Sequence, residues 1–599
     1  MNAQSRLAIV GAGASAIYVL QHLLRQIDTL SKKFSEIHIL EREQLLGTGM
    51  PYSPKTTDRY NLCNISSAEI PTLPQSLVAW LKSLDDAALS THGIARQEID
   101  DAETYSRLAL GDYFQAQYAA VRQALQQAGM RMVEHAGSAV TDIVEVRDED
   151  TVRIQTAAQD LIVGRVIIAT GHAFHKSDEP DSGYFASPWP MHKLLPEEGG
   201  QHNFAVGTLG ASLSAFDVVA SLANRHGSFH STPHGLRYQP SAEAPEFRFV
   251  MHSAEGWLPH LQYEQEEAFR EIYRHASREQ MLGLRDTDGL MSLDDYFDQV
   301  CRPALMEAFL KDQRPDLVSK LQQSEWALSD FVAQMTGEHE YDDPFAGMRQ
   351  EMPEAENSLK RGQPIHWKEV LDDLMFTLNF HFDWLSAEDT LVYRRTVTPF
   401  LMNVIAAMPL QSAQTLLALA DAGRLELVPG RVTIKEKLPG KTVVTVDNEG
   451  ELSEHTYRMF VDCSGQGTVD IDQFPFPSLV TAGTVSPATA RFRSRRAVEK
   501  LSSADRERVI EQDDQLRYEL GGIAIDGCYR VVGKDGQPSP RIFDIAFPHA
   551  TGVRPYSYGL QACDITAAIV IEALCATAAD PSTAPPVITQ VYEDLPKAS

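Results

Sequence analysis

Gly11, Gly13 and Ala16 sit at the spacing Gly-x-Gly-x-x-Ala directly after an apolar run, and Glu41 closes the next apolar run. Gly11 permits a tight turn, Gly13 leaves the backbone bare for a pyrophosphate, and the small Ala16 lets a helix pack closely on a strand. A carboxylate at Glu41 can accept hydrogen bonds from both hydroxyls of an adenosine ribose. The chemistry on offer is the holding of a dinucleotide. A second group, Gly207, Gly210, Ser212 and Ser214, recurs in FAVGTLGASLSAFD. The later stretch HSAEGWLPH places Ser253, Ala254, Glu255 and Gly256 where a second ribose would lie.

Both groups need a strand, a turn and a helix to position them. RLAIVGAGASAIYVLQHLL predicts a strand over residues 7–10, the turn, and a helix with Ile17, Leu20, Leu23 and Leu24 at helical spacing. The first turn of that helix has free N–H groups for phosphate. EIHILER is the second strand, ending in Glu41. FAVG predicts a short strand over residues 204–206, followed by an amphipathic helix to about Gly227, and FRFVMHS predicts one more strand. Two such turns in one chain suit a hydride relay between two dinucleotides.

With 599 residues, 43% of them hydrophobic, the chain is past the size at which one core stops growing, so two or three domains are expected. Lys and Arg number 53 against 82 Asp and Glu, and the net charge of −29 repels phosphate backbones and anionic lipid. No nucleic-acid partner is expected. Apolar stretches such as residues 567–579 fall short of the roughly 20 residues a membrane helix needs, so no span is expected. Residues 1–6 run into a strand without the pattern of a signal peptide, which predicts a cytoplasmic protein. Cys63, Cys301, Cys463, Cys528, Cys563 and Cys575 form no C-x-x-C pair. The 19 histidines show neither His-Glu-x-x-His nor facial-triad spacing. Neither a dithiol centre nor a metal site is expected. His381 reads as a packed helix residue.

GRVIIATGH (164–172) and RMFVDCSGQGT (458–468) each run a buried strand into small residues, Ala169-Thr170-Gly171 and Cys463-Ser464-Gly465. Both resemble the crossings between the two nucleotide domains of flavoproteins, which favours FAD at Gly11. GTGMPYSP (47–54), NLCNISSAEIP (61–71), YSRLALGDYF (105–114), GTLGASLSAFDVVASL and HSAEGWLPH extend the likeness. Over about residues 1–260 and 455–575 the sequence resembles the FAD/NAD(P)-binding flavoproteins related to class B and N-hydroxylating monooxygenases. The resemblance implies an α/β, Rossmann-like fold of glutathione-reductase type, with two dinucleotide-binding domains and a large helical insertion. It implies FAD contacts from Gly11, Gly13, Ala14, Ser15, Ala16, Glu41, Arg42, Gly49, Tyr52, Asn64, Arg107, Val140, Thr170 and Gly171. Nicotinamide contacts would come from Gly207, Gly210, Ser212 and Ser214. Where the family often has two arginines this chain has Ala254 and Glu255, so a 2′-phosphate would lack its cation and NADH is favoured over NADPH. Leu209 stands where the family has glycine, so the second turn is either a nicotinamide site or a degenerate one.

In the family layout the FAD-binding domain takes residues 1–180 and 455–599, the NAD(P)H-binding domain 181–260 and 428–454, and the helical insertion 261–427. EEAFREIYRHASREQML, SLDDYFDQVCRPALMEAFL and PDLVSKLQQSEWALSDFVAQM each show apolar residues three and four apart. Residues 341–362, acidic and carrying two prolines and two glycines, predict a loop. RIFDIAFPHATGVRPYSYGLQACDITAAIVIEAL predicts a strand over 542–547 and a helix from about 558 to 576 whose N-terminus points at the flavin ring. Arg554 either supports the reduced flavin or forks onto a substrate carboxylate, and Arg554 and Asn64 are the catalytic candidates. The resemblance implies an FAD-dependent monooxygenase: NAD(P)H reduces FAD, O₂ adds at C4a, and the hydroperoxide passes its outer oxygen to a small amine such as an amino acid. Two other readings stay open, a flavin reductase or dehydrogenase without oxygen transfer and a non-catalytic FAD-binding partner protein. Self-association is open too.

Overall fold

The computed structural model describes residues 3–172, 176–233, 235–512 and 514–576. Strands β1 (Arg6–Val10), β2 (Glu36–Glu41), β3 (Arg131–Ala136) and β4 (Arg165–Ile168) open a first sheet. A second sheet is made of β5 (Tyr184–Phe185), β6 (Ala205–Leu209), β7 (Arg248–Ser253), β8 (Leu425–Pro429) and β9 (Met459–Asp462). The chain then returns to the first sheet with β10 (Arg530–Val532) and β11 (Pro538–Asp544).

The orders are β10-β11-β4-β1-β2-β3 and β8-β7-β6-β9-β5. Every pairing is parallel except that of β10 with β11 at one edge. Leu7, Ala8 and Ile9, like Val166, Ile167 and Ile168, are fully buried. Such continuous apolar runs suit a parallel sheet covered on both faces. β9, expected with the first sheet, pairs residue for residue with β6 instead (Phe460 against Gly207, Asp462 against Leu209). Smaller antiparallel sheets cover 140–163, 431–457 and 487–523.

Helix α1 (Ala14–Arg25) connects β1 to β2, and α2 (Arg107–Gln127) lies against it. Helix α3 (Leu213–Ala223) follows β6. Between β7 and β8 come α4 (Leu328–Gly337), α5 (Pro344–Arg361) and α6 (His366–Phe380) among shorter helices. Helix α7 (Leu560–Cys575) follows β11 and packs along α1. Lys33, just past α1, donates to the Leu574, Cys575 and Ala576 carbonyls at the end of α7.

The expected loop at 341–362 is mostly helix. Asp343 accepts from the N–H groups of Phe345 and Ala346, Pro344 takes the first helical position, and Gly362 at φ +58° ends the helix. Of the two prolines and two glycines that read as loop residues, Pro344 and Gly362 are the boundaries of α5, and Gly347 and Pro353 lie within it. The opposite error affects EEAFREIYRHASREQML (266–282), expected to be helical, of which 266–277 lies outside any helix. There the N–H groups of Glu266 and Glu267 go to the Glu369 carboxylate, and that of Arg270 to Gln561 Oε1, in place of helical carbonyls.

Candidate functional site

The glycine turn is built as its spacing requires. Gly11 has φ +104°, and a Cβ on it would lie 2.4 Å from the Ala169 carbonyl oxygen. Its N–H donates to the Leu40 carbonyl at 2.8 Å. Gly13 faces Gly49 so closely that an added Cβ would come 3.2 Å from the Gly49 Cα. Glu41, at the end of β2, accepts from Ala12 N–H through Oε2 (2.9 Å) and from Glu43 N–H through Oε1 (3.0 Å). That pair of bonds fixes the carboxylate and leaves further lone pairs for a ligand. Ala16, expected among the FAD contacts, is instead fully buried beneath the turn and does not line the cleft, because the helix packs over it.

These residues open onto a cleft of about 420 Å³, within the usual range of roughly 300–1,000 Å³ for cofactor sites. Gly11, Gly13, Ala14, Ser15, Glu41, Arg42, Gly49, Tyr52, Val140, Thr170 and Gly171 all line it. So do Ser557, Tyr558, Gly559, Leu560 and Cys563 from the start of α7. The N-termini of α1 and α7 therefore meet at one cleft, each adding partial positive charge. Ser15 Oγ and Cys563 Sγ lie 3.2 Å apart where the helices touch, and burial pushes the Cys563 thiol up, so it stays protonated. The Thr170 hydroxyl oxygen is shielded from solvent with no hydrogen-bond partner. Bare glycines, a fixed carboxylate, two helix N-termini and an unpartnered hydroxyl together fit a dinucleotide such as FAD.

Sequence reasoning gave no site role to two histidines of this cleft. His549 Nδ1 lies 2.8 Å from Asp544 Oδ2, and Asp544, fully buried at the end of β11, also accepts from Ala546 N–H. This pairing orients the ring, with Nδ1–H donating to the carboxylate and Nε2 turned away from it. His172 Nδ1 lies 3.0 Å from Gln466 Oε1, and burial lowers its pKa. An Asp and a His five residues apart across a strand end is the one signal the sequence held for the first pair.

Asn64 and Arg107 are not at this cleft. They line a second one of about 370 Å³, bordered by Arg59, Cys63, Leu213, Asp217 and Gln411. Arg107 Nη2 donates to Asp217 Oδ2 at 2.9 Å, across from α2 to α3, while its Nε is buried without a partner. Burial pushes the Asp217 carboxyl up to about 6 against the pull of Arg107. Asn61 Nδ2 donates to the Asp217 carbonyl and to Ser221 Oγ, and Arg225 forks onto Asp58, so this contact fastens the two sheets together. The buried Asp217 draws Arg107 away from the first cleft.

Arg554 also lies apart from the cleft lining. It is fully buried and donates to Asp383 Oδ1 (2.8 Å) and to the Val553 carbonyl, with Nε and Nη2 unpartnered. The middle region holds this loop through Asn379 at the end of α6, which accepts from Tyr556 N–H (2.7 Å) and donates to Ser557 Oγ (2.9 Å). Helix α7 begins at Leu560, after Gly559 at φ +88°, and the preceding strand ends at Asp544, each two or three residues off the expected bound. His381, one residue past α6, is buried, and that burial lowers its pKa to about 4.

The second turn takes a different register from the one expected. Gly207 lies inside β6, where a Cβ would strike Phe460 and Tyr457. Leu209 is the last strand residue, so it does not crowd the turn. Gly210, at φ +105° with its N–H on the His252 carbonyl (2.8 Å), is the counterpart of Gly11. Ser212 then corresponds to Gly13, Ala215 to Ala16 and Ser253 to Glu41. Ser214 lies in the first turn of α3, and Glu255 is exposed beyond β7.

Two parallel sheets, each with a glycine turn at φ near +105°, define a two-dinucleotide Rossmann-like protein. Residues 8–173 match the FAD-NAD(P)-binding family and residues 277–405 the YdhS-like middle domain. The amino-terminal region is an FAD/NAD(P)-binding domain. The uncharacterized protein YdhS of Escherichia coli K12 is 26% identical over 477 residues, 79% of this chain and 85% of that protein. Among solved structures, L-lysine 6-monooxygenase from Pseudomonas syringae covers 95% of this chain and 99% of its own, with 14% identity and a TM-score of 0.47. Ornithine N-hydroxylase of Kutzneria sp. 744 covers 94% and 97%, with 11% identity and a TM-score of 0.44. Similarity at this level concerns outline alone. No helix among the described residues is long and apolar enough to cross a membrane.

Proposed function

We propose that the protein is an FAD-dependent oxidoreductase, a monooxygenase that takes electrons from NAD(P)H and transfers oxygen to a small amine such as an amino acid. The observation that carries the redox reading is the convergence of Gly11, Glu41 and the N-termini of α1 and α7 on one cleft. Glu41 would bind the ribose, the N–H groups of α1 the diphosphate, and Gly559–Leu560 the electron-rich edge of the ring. Bound FAD would supply hydride acceptance and oxygen activation. Asp544 holds His549 so that Nε2 can take or give a proton at the cleft wall. Asn379, through Tyr556 and Ser557, keeps the approach to α7 in place.

Oxygen transfer and the amine class rest on the motif resemblance, as does the division into an FAD domain, a nicotinamide domain and a helical insertion. NADH is the preferred donor in this reading because exposed Glu255 would repel a 2′-phosphate. A reductase without oxygen transfer is the second reading.

The test mixes flavin-loaded protein with NADH or NADPH, first without oxygen and then in air, over a panel of amines and amino acids. Bleaching by NADH followed by amine-dependent, coupled oxidation supports the proposal. Oxidation unresponsive to every amine leaves the reductase, and a flavin that neither nucleotide bleaches removes the redox reading.

A further inference from the structure

Three side chains with no part in the cleft meet where the segment after β7 touches the middle region. His260 belongs to that segment, His339 follows α4, and Glu351 lies in α5. One ligand atom from each falls within 4.8 Å of the others. We propose that His260, His339 and Glu351 bind a zinc ion, with one water completing a four-coordinate shell, and that the ion pins the segment after β7 to the middle region.

The hydrogen-bond geometry of His339 is the first reason. Its Nε2 lies 2.9 Å from the Leu258 carbonyl oxygen, which can only accept, so Nε2 carries the hydrogen. In the neutral ring Nδ1 then bears a lone pair. That nitrogen is buried without a hydrogen-bond partner, and it faces Glu351 Oε1 in direct contact. A lone pair against a carboxylate oxygen repels unless a cation or a proton stands between them. A ligating histidine whose other nitrogen donates to a backbone carbonyl is the usual arrangement at metal sites.

His260 is the second reason. Its Nδ1 approaches the same Glu351 oxygen at 4.0 Å, and its ring stacks on His339 with centroids 3.7 Å apart and planes 15° from parallel. A shared proton would serve only His339 and Glu351, whereas a metal ion uses all three groups. The surrounding charges are Glu351, Glu354 and the buried Lys368, whose ammonium lies over the rings of Tyr263 and Trp367. Two carboxylates against one ammonium leave negative charge for a dication. Rings this nearly parallel cannot both hold an ion in their planes, so binding turns one imidazole and draws Oε1 back from His339.

Two imidazoles and one carboxylate suit zinc or ferrous iron. The cavity beside His339 and Glu351, walled by Trp257, Pro259, Tyr341 and Met348, measures about 10 Å³. That is the lower bound of what one water needs, which favours four-coordinate zinc over six-coordinate iron with its three open positions.

The experiment measures metal in flavin-loaded protein after dialysis against metal-free buffer, then titrates zinc and, separately, cobalt. About one zinc per chain, tetrahedral cobalt absorption, and at least a roughly tenfold loss of zinc affinity (about 1.4 kcal/mol) in H339A and in E351Q are expected. Both variants should keep their flavin, so their folding is checked independently of the metal. If the wild-type protein takes up neither metal at micromolar concentration while retaining its flavin, His339 and Glu351 are an ion pair only and the proposal is wrong.

Discussion

Ser212 occupies in the second turn the place that Gly13 occupies in the first: each precedes its helix directly, two residues after a glycine at φ +105° or +104°. Both residues are extended, with ψ −166° and −165° and φ −84° and −134°, and only the second carries a side chain. Gly13→Val would drive a branched side chain into Gly49 and is expected to leave the purified protein colourless. Ser212→Gly is expected to tighten nicotinamide nucleotide binding several-fold with flavin content unchanged. The rate of anaerobic flavin reduction against nucleotide concentration measures this, and an unaltered dependence argues against the register.

Glu41 accepts two backbone N–H bonds before any ligand arrives. Glu41→Ala therefore loosens the turn and deletes the ribose acceptor together, a loss of about 1–3 kcal/mol, or roughly 5- to 150-fold in FAD affinity. Fluorescence of released flavin on dilution reads this directly. A variant that holds FAD as tightly as the parent would falsify the adenosine assignment.

Asn379 is fully buried and serves Tyr556 N–H and Ser557 Oγ. Asn379→Ala leaves a buried N–H without an acceptor, at a cost of about 1–3 kcal/mol in denaturant unfolding. It should also make the bound flavin more accessible to quenchers. Unchanged quenching together with unchanged stability would show that the middle region does not brace the cleft.

His226, His252 and His381 are buried, and burial lowers each to about 4. In the unfolded chain each titrates near 6.5, so their contribution is fully present above that pH and is lost as pH falls toward 4. The loss is on the order of 3 kcal/mol per residue at most. Stability measured by urea unfolding should fall steeply below about pH 6.5, and His381→Gln should flatten the slope. A flat profile between pH 7 and 5 would show that these rings titrate alike in the folded and the unfolded chain.

Strand runs and glycines were legible because they answer to local rules. An apolar run without alternation can only be buried on both faces, and Gly11 and Gly13 are where a side chain would collide. The same local rules misread α5, whose Pro344 and Gly362 are helix boundaries, and 266–277, where N–H groups go to Glu369 and Gln561, far along the chain.

The sequence by itself determined the first nucleotide turn, from Gly11 to Glu41, since strand, turn and helix there are contiguous and bond mostly to one another. Tertiary structure decided where the buried charged and ligating side chains went. Arg107 goes to Asp217 and Arg554 to Asp383, and His260 meets His339 and Glu351, because a buried charge or lone pair takes the partner the fold brings within reach, and no spacing along the chain records that distance.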